Sequence, residues 1–325
     1  MTDGTGAEVD AAARTELGDG VEIRPARQDD HDAVAAFTRD TWDGGDYIPD
    51  VYPDWIEGDD KRTLVADAGD AIAGLGQVVL LSEHEAWGQG LRVNPEFRGY
   101  GVSREITYSL FDWAREQGAA VARNMVFSWN QAGLGQSRAT GYEPVTEFRW
   151  LHPDPSSATD SGMPDNVVAD PNAAWSFWGH SDARDHLAGL ALSLDESWAV
   201  QELARDMLAQ AADETALFAV TERHGTRGLA YRTRTWERED DDGEEEVYAE
   251  YGVGAWADLD AARTLLDAIA ADAGDLGADS TRVLIPETAR AVSDGAYLRA
   301  NISDEPDFVL AADLTGDYRS FRDSD

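Results

Sequence analysis

The segment Leu91-Arg92-Val93-Asn94-Pro95-Glu96-Phe97-Arg98-Gly99-Tyr100-Gly101-Val102-Ser103-Arg104 constrains this chain more than any other stretch. It continues a strand pattern, Trp87–Val93. It opens an amphipathic helix, Ser103–Gln117, with Ile106, Leu110 and Trp113 at helical spacing. Gly99 and Gly101 remove side chains where a backbone approaches a ligand closely. A helix N-terminus adds N–H groups without intrahelical acceptors and a partial positive charge. Together these make an anion cradle suited to a pyrophosphate. Arg98 and Arg104 add positive charge in a very acidic chain. An ordinary strand–turn–helix connection can carry the same glycines, and R-G-x-G alone does not separate the two readings. No Gly-Lys-Ser/Thr is present, which excludes an ATPase loop. No full G-x-G-x-x-G supports a dinucleotide fold.

The motif sits inside a regular order of elements. At roughly 150 residues per domain, 325 residues predict about two domains. Residues 1–20 read as a disordered acidic tail. Val21–Arg24 alternates like a strand, and Asp29 or Asp30 is placed to cap a helix that turns Val34, Ala35 and Phe37 inward. A Gly/Asp loop, Asp43–Pro49, leads to a short aromatic segment through Tyr52 and Trp55. Thr63–Ala66, Gly69-Asp70 and Ala71–Leu81 form a hairpin signature. After the motif helix come a strand (Val121–Phe127), a helix (Gln131–Thr140) and a strand (Glu147–Leu151).

Residues 156–172 are rich in Pro, Ser, Asp and Gly and read as a linker between domains at 21–155 and 173–325. The second half predicts a helix (Ala199–Ala212), strands at Ala216–Thr221, Leu229–Trp236 and Val247–Val253, and a helix at Asp260–Ala273. A strand (Thr281–Ile285), a short helix and a last strand (Phe308–Ala312) follow. This order repeats that of the first half, so two tandem copies are expected, although no sequence identity proves a duplication.

Composition bounds the function. The chain has 64 acidic and 26 basic residues, a formal charge of −38, and Lys61 as its only lysine. At 42 % hydrophobic residues it can nevertheless bury a core. The acids are spread along the chain, with one dense block at Glu237–Glu246. Spread charge with depleted lysine favours a halophilic protein over a DNA mimic or a partner for basic proteins, and over an acidic substrate channel. At molar salt the screening length falls to ~3 Å. No basic patch marks a nucleic-acid partner. The absence of cysteine excludes disulfides, thiolate metal sites and a cysteine nucleophile. No run reaches the ~18 apolar residues of a membrane span, and the first residues lack a signal-peptide pattern. A cytoplasmic protein without membrane contact is expected. Trp175, Trp178, His180 and His186 lack metal-ligand spacing, so no metal is expected.

Val93-x-Pro95-x-x-Arg98-Gly99-x-Gly101-Val102-Ser103 resembles the acetyl-CoA signature of the GCN5-related N-acetyltransferase family, with Ser103 where Gly or Ala is usual. Asn130 after the next strand, and Gly141-Tyr142 ending the next helix, are similar to that family's downstream pattern. The resemblance covers about 21–155. It implies an α/β fold, a mixed and largely antiparallel sheet flanked by helices. It also implies acetyl transfer from acetyl-CoA to a primary amine on a small molecule, amino acid or peptide N-terminus. Under it, Leu91, Val93, Arg98, Gly99, Tyr100, Gly101, Val102, Ser103, Arg104 and Asn130 bind the co-substrate. The Val93 N–H faces the developing oxyanion. The family's tyrosine acid falls on Ser137, a poor acid. Glu85, beside Glu83 and His84 in what reads as a solvated turn, is the first choice of base, acting through water. A non-catalytic acyl-CoA-binding sensor is the alternative, and the oligomeric state stays open.

Asp46, Tyr47 and Trp55 lie where the family builds its acceptor pocket. This stretch, with Gly90–Val93, is similar to the vertebrate histidine N-acetyltransferase-like branch. An acidic, aromatic loop suits an ammonium. In the second half the comparable junction, Gly252–Asp260, lacks arginine and carries carboxylates, so that copy is expected to be degenerate.

Overall fold

The computed structural model describes residues 20–39, 41, 45–156, 162–239 and 245–319. All of the expected tail but Gly20, along with Asp43 and Gly44, residues 157–161 of the linker and residues 240–244 of the acidic block, lies outside the described residues. No described helix is long and apolar enough to cross a membrane. Contacts divide the chain into two compact units: Met1–Val78 with Gly88–Glu116, and Val79–Trp87 with Gln117–Asp325. These boundaries differ from a division at residues 155 and 173.

The first unit holds β1 (Glu22–Pro25), α1 (His31–Thr38), α2 (Ile48–Trp55), β2 (Lys61–Asp67), most of β3 (Ile72–Leu80), most of β4 (Glu85–Val93) and α3 (Val102–Glu116). Its strands follow the order β1-β2-β3-β4, and β1 pairs antiparallel with β2 from Glu22↔Asp67 to Pro25↔Leu64. The aromatic segment is helical. Ile48, Tyr52 and Trp55 recur at helical spacing and bury against Val34, Val65, Ile72 and Leu75. Burying such a side chain contributes about 2 kcal/mol. Pro53 has no N–H for the Pro49 carbonyl one turn back. His31 Nε2 donates to that carbonyl at 2.9 Å, so the interior proline is tolerated. On the other side, Val102, Ile106 and Leu110 of α3 are buried, and glycines at 74 and 76 let α3 approach the sheet.

The second unit holds β5 (Val121–Phe127), α4 (Gln131–Ala139), β6 (Glu143–His152), β7 (Val167–Val168), α5 (Pro171–Trp178), α6 (Asp182–His186), β8 (Leu190–Leu192), β9 (Val200–Glu202) and α7 (Arg205–Glu214). These are followed by β10 (Ala216–Glu222), β11 (Gly225–Glu239), β12 (Glu245–Tyr251), β13 (Ala255–Trp256), α8 (Leu259–Asp275), β14 (Ser280–Pro286), α9 (Ala289–Tyr297), β15 (Asn301–Ile302) and β16 (Asp307–Asp313). Its strand order is β5-β16-β6-β14-β12-β11-β10-β7. Most pairs are antiparallel; β12–β14 is parallel, as is the short ladder of Glu85–Trp87 with Val121–Arg123.

The last strand of the chain, β16, pairs with β5 from Asp307↔Phe127 to Asp313↔Val121 and with β6 on its other edge. β6 in turn pairs with β14 through Phe148↔Pro286. Strands from the two halves of the sequence therefore interleave. That is why 117–156 groups with the C-terminal half. One expected helix is also corrected. Ala199–Ala212 begins as strand β9, paired with β8, and becomes helical only from Arg205. The apolar periodicity of that stretch does not reveal the β8 partner. The α5 and α6 helices were not expected from the sequence.

Candidate functional site

In the first unit, the strand–loop–helix junction has the expected form. Gly99 and Gly101 adopt φ of +85° and +75°, the left-handed region that glycine enters without penalty. Tyr100 between them is 50 % exposed. A Cβ on Gly99 would meet no atom within 4 Å, so conformation rather than space calls for glycine there. Asn94 sets up the turn by accepting from the Glu96 N–H at 3.2 Å. Val102, Ser103 and Arg104 form the first turn of α3, whose N–H groups have no intrahelical acceptor. Arg98 is exposed beside them.

Leu91 and Val93 lie on β4. The Asn94 N–H donates to the Ala73 carbonyl of β3 at 2.9 Å, so strand alternation directs the Val93 N–H to the opposite edge. Gly90, at φ +63°, interrupts the extended strand in the manner of a glycine bulge, which re-aims the backbone after it. A glycine inside a strand pattern is a signal for such a bulge. Behind β4, Gln89 donates to Gln77 at 2.7 Å. The Gln77 amide donates to the Trp55 carbonyl and the Thr63 hydroxyl at 2.9 Å each.

Asp46, Tyr47 and Trp55 come together at the start and end of α2. The Asp46 carboxylate is not a free anion. It pairs with Arg92 Nε at 2.8 Å, has no exposed side-chain surface, and accepts from the Ile48 N–H. The Arg92 guanidinium lies 5.8 Å from the Tyr47 ring centre, and Tyr47 meets Trp55 edge-on. Attraction of an ammonium by an unpaired Asp46 is thus corrected: Arg92 already matches that charge.

Glu85, Asn130 and Ser137 fall in the second unit. Glu85 does not sit in a solvated turn. It is 8 % exposed, forms an ion pair with Arg123, and accepts from the Glu202 N–H at 3.0 Å and the Ser82 hydroxyl at 3.2 Å. A carboxylate held by three donors acts as a strut. Glu83 and His84 occupy the exposed turn instead. Asn130 caps α4 by accepting from the Gly133 N–H at 2.9 Å. Ser137 is 1 % exposed and accepts from the Asn124 side-chain amide at 2.9 Å. Asn124 had no signal in the sequence beyond its place in a buried strand.

The comparable junction of the second half is filled from within. After the β12–β14 ladder ends at Tyr251↔Val283, the Gly254 N–H donates to Leu284 at 2.7 Å and keeps the strands together. In the first half, the ladder of β4 with β5 ends at Trp87↔Arg123. At the start of α8 the Asp258 carboxylate accepts from the Ala261 N–H and pairs with Arg227 at 2.5 Å. Those backbone donors and Arg227 hold it below the usual carboxylate range. The chain's own carboxylate stands where a bound anion would. Among the described residues no cluster of His, Asp and Glu has metal-binding geometry.

Residues 30–135 match the acetyltransferase (GNAT) family. The chain is 29 % identical over 85 residues to the histidine N-acetyltransferases of Oreochromis niloticus and Scomber australasicus. That match covers 26 % of this chain and 25 % of each relative, so the chain spans about a quarter of the curated relatives it matches. The fold is similar to a GCN5-related N-acetyltransferase from Sphaerobacter thermophilus. The TM-score is 0.57 at 14 % identity, over 92 % of this chain and 97 % of that one.

Proposed function

We propose that this chain, whose residues 30–135 belong to the acetyltransferase (GNAT) family, moves an acetyl group from acetyl-CoA to a primary amine by direct attack. The acceptor is a small molecule, an amino acid or a peptide N-terminus. The observation that carries this reading is the pair of left-handed glycines, Gly99 and Gly101, leading into the first turn of α3. Backbone N–H groups of Gly99–Arg104, with Arg98 beside them, fit a pyrophosphate. When bound, acetyl-CoA supplies a thioester that an uncharged amine can attack.

The chain's residues then have assigned tasks. The Val93 N–H, directed away from β3, donates to the oxygen on which charge develops. One such donor is worth about 3 kcal/mol elsewhere. Leu91 and Tyr100–Ser103 shape the groove, and Asn130, under the family resemblance, is assigned to the co-substrate as well. Tyr47, half exposed, presents its ring to the acceptor, with the Arg92–Asp46 pair at its margin; Trp55, expected to share this role, is buried behind it in the core. Alignment of the reactants supplies much of the rate. An α-amino group of pKa ~8 needs only water to lose its proton, and Glu85, engaged by Arg123, is not assigned that step.

The test is release of free CoA thiol by the full chain at molar KCl over a panel of amines, with mass spectrometry of the products. Absence of both turnover and CoA binding would refute the proposal. Tight CoA binding without turnover would favour the second reading, an acyl-CoA-binding sensor. The buried Ser137, standing where the family's phenol would be, is the observation on its side.

A further inference from the structure

A hollow of about 370 Å³ lies wholly within the second unit and is built from residues that acetyl transfer does not use. Small-molecule pockets span ~300–1,000 Å³. Three segments line it: the end of α5 with the turn into α6, the β10–β11 turn, and the stretch from β13 to α8. The β10–β11 turn is set locally. Glu222 pairs with Gly225, which leaves Arg223 and His224 as a two-residue link, and Gly225 takes φ +124°, a conformation open to glycine. Trp256 Nε1 donates to Asp294 at 2.9 Å, so its indole offers the hollow an apolar ring rather than a donor. Phe177 adds a second aromatic side chain.

The polar groups of the lining are largely unspent. Among the described residues, the side chains of Ser176, His224 and Thr226 have no hydrogen-bond partner. Arg227 meets Asp258 through Nη2 alone, which leaves Nε and Nη1 as donors. His180 differs. Its Nδ1 lies 3.0 Å from the Ser176 carbonyl, which can only accept, so Nδ1 carries the proton and Nε2 of the neutral ring is an acceptor. The one carboxylate of the lining, Asp182, is solvated at 97 % side-chain exposure, with Arg290 3.8 Å away. A chain of net charge −38 offers few places to an anion. Here a guanidinium, an imidazole and two hydroxyls border one small space beside two aromatic rings.

We propose that this hollow binds a phosphomonoester carried on a planar ring, the chemistry of a nucleoside monophosphate. Arg227, His224, Thr226 and Ser176 donate to the phosphate oxygens, where donors to a charged acceptor are strongest. Trp256 and Phe177 border the ring, and His180 Nε2 accepts from a sugar hydroxyl. The inference goes beyond acetyl transfer and does not depend on it. The hollow is at the small end of the pocket range, so it takes a mononucleotide rather than the whole of CoA.

Calorimetry on the full chain at molar KCl, with saturating CoA present, tests this with adenosine 5′-monophosphate, adenosine and inorganic phosphate in turn. The monophosphate is expected to bind once per chain, at least about tenfold tighter than adenosine or phosphate. His224→Ala removes a side chain with no other partner and should weaken the monophosphate about tenfold. Arg227→Lys keeps a cation opposite Asp258 but loses the other guanidinium donors, and should cost a similar factor at an unchanged melting temperature. Absence of monophosphate binding, or unchanged affinity in His224→Ala, would overturn the proposal. Adenosine or phosphate binding as tightly as the monophosphate would overturn it too, by removing the phosphate or the ring from the site. Monophosphate bound only when CoA is left out would place it in the Gly99–Arg104 cradle, with the same consequence. If the chain binds no CoA, the titrations run without it and the His224 and Arg227 losses decide.

Discussion

Gly90 of β4 faces the indole of Trp55 so closely that a Cβ on Gly90 would overlap the ring atoms Cη2 and Cζ3. The left-handed backbone at φ +63° compounds this constraint. Overpacking and a left-handed Cβ each cost about 1–3 kcal/mol. Gly90→Ala should therefore lower unfolding free energy by about 3 kcal/mol in denaturant titrations at molar salt. A loss under about 0.5 kcal/mol, the range of ordinary surface changes, would show that the strand adapts freely.

The cradle makes a graded prediction. Gly101→Val puts a branched side chain at φ +75° and should reduce CoA affinity at least about tenfold with little change in far-ultraviolet circular dichroism. Arg98 is exposed, so Arg98→Ala should cost only about threefold. Calorimetry reads both. Equal affinities in Gly101→Val and the unmodified chain would move the phosphate site elsewhere.

Burial pushes the Asp307 carboxyl up to about 6, against the opposing pull of the Trp150 N–H and Arg282. Trp150 Nε1 donates to it at 3.0 Å. The folded chain keeps this proton at higher pH than the unfolded chain does, whose carboxyl titrates near 3.9. The group's contribution is thus most favourable below pH ~4, declines as pH rises to about 6, and is level above that. Asp307→Asn keeps the acceptor for Trp150 without the charge. It should raise stability by about 2 kcal/mol at pH 7–8 relative to pH 4. A variant whose effect is the same at both pH values would refute the assignment.

The −38 charge with a single lysine predicts that the melting temperature rises steeply as KCl goes from dilute to molar. The rise should be greatest at the lowest salt, where screening changes most. A flat or falling melting temperature in calorimetric scans would favour a basic protein partner over a halophilic origin of the charge.

Stoichiometry follows from the contrast between the two junctions. Asp258 occupies the start of α8 and the Gly254 N–H closes the strands beside it, so one CoA per chain is expected by calorimetry. Two equivalent sites would contradict that closure. A chain ending near Pro155 would lack both β16 and β14, leaving both edges of β6 and one of β5 without partners. It should remain largely unfolded at molar salt; a cooperative melt for it would show that the first half needs neither strand.

The local features were legible. The strand, turn and helix from Trp87 to Gln117 depend on Gly99, Gly101 and the spacing of Ile106 and Leu110. Contacts of short sequence separation fix such features, so a residue pattern is enough to find them. Other features were legible only in part. Tyr52 and Trp55 announced an apolar face. That the face is helical despite Pro53 depends on His31, 18 positions from the Pro49 carbonyl it meets.

By itself the sequence determined the mixed α/β class, the strand–loop–helix junction with its two left-handed glycines and the scarcity of cations elsewhere, because propensity, glycine geometry and charge are properties of short segments. Only the tertiary structure decided that β16 enters between β5 and β6, that Arg123 and Glu202 engage Glu85, that Arg92 matches Asp46, and that Asn124 keeps an unpaired oxygen beside Ser137. Each of those depends on groups far apart in the chain. Burial and partners, not the residue's identity, set whether a carboxylate is a base or a strut and whether an amide is satisfied.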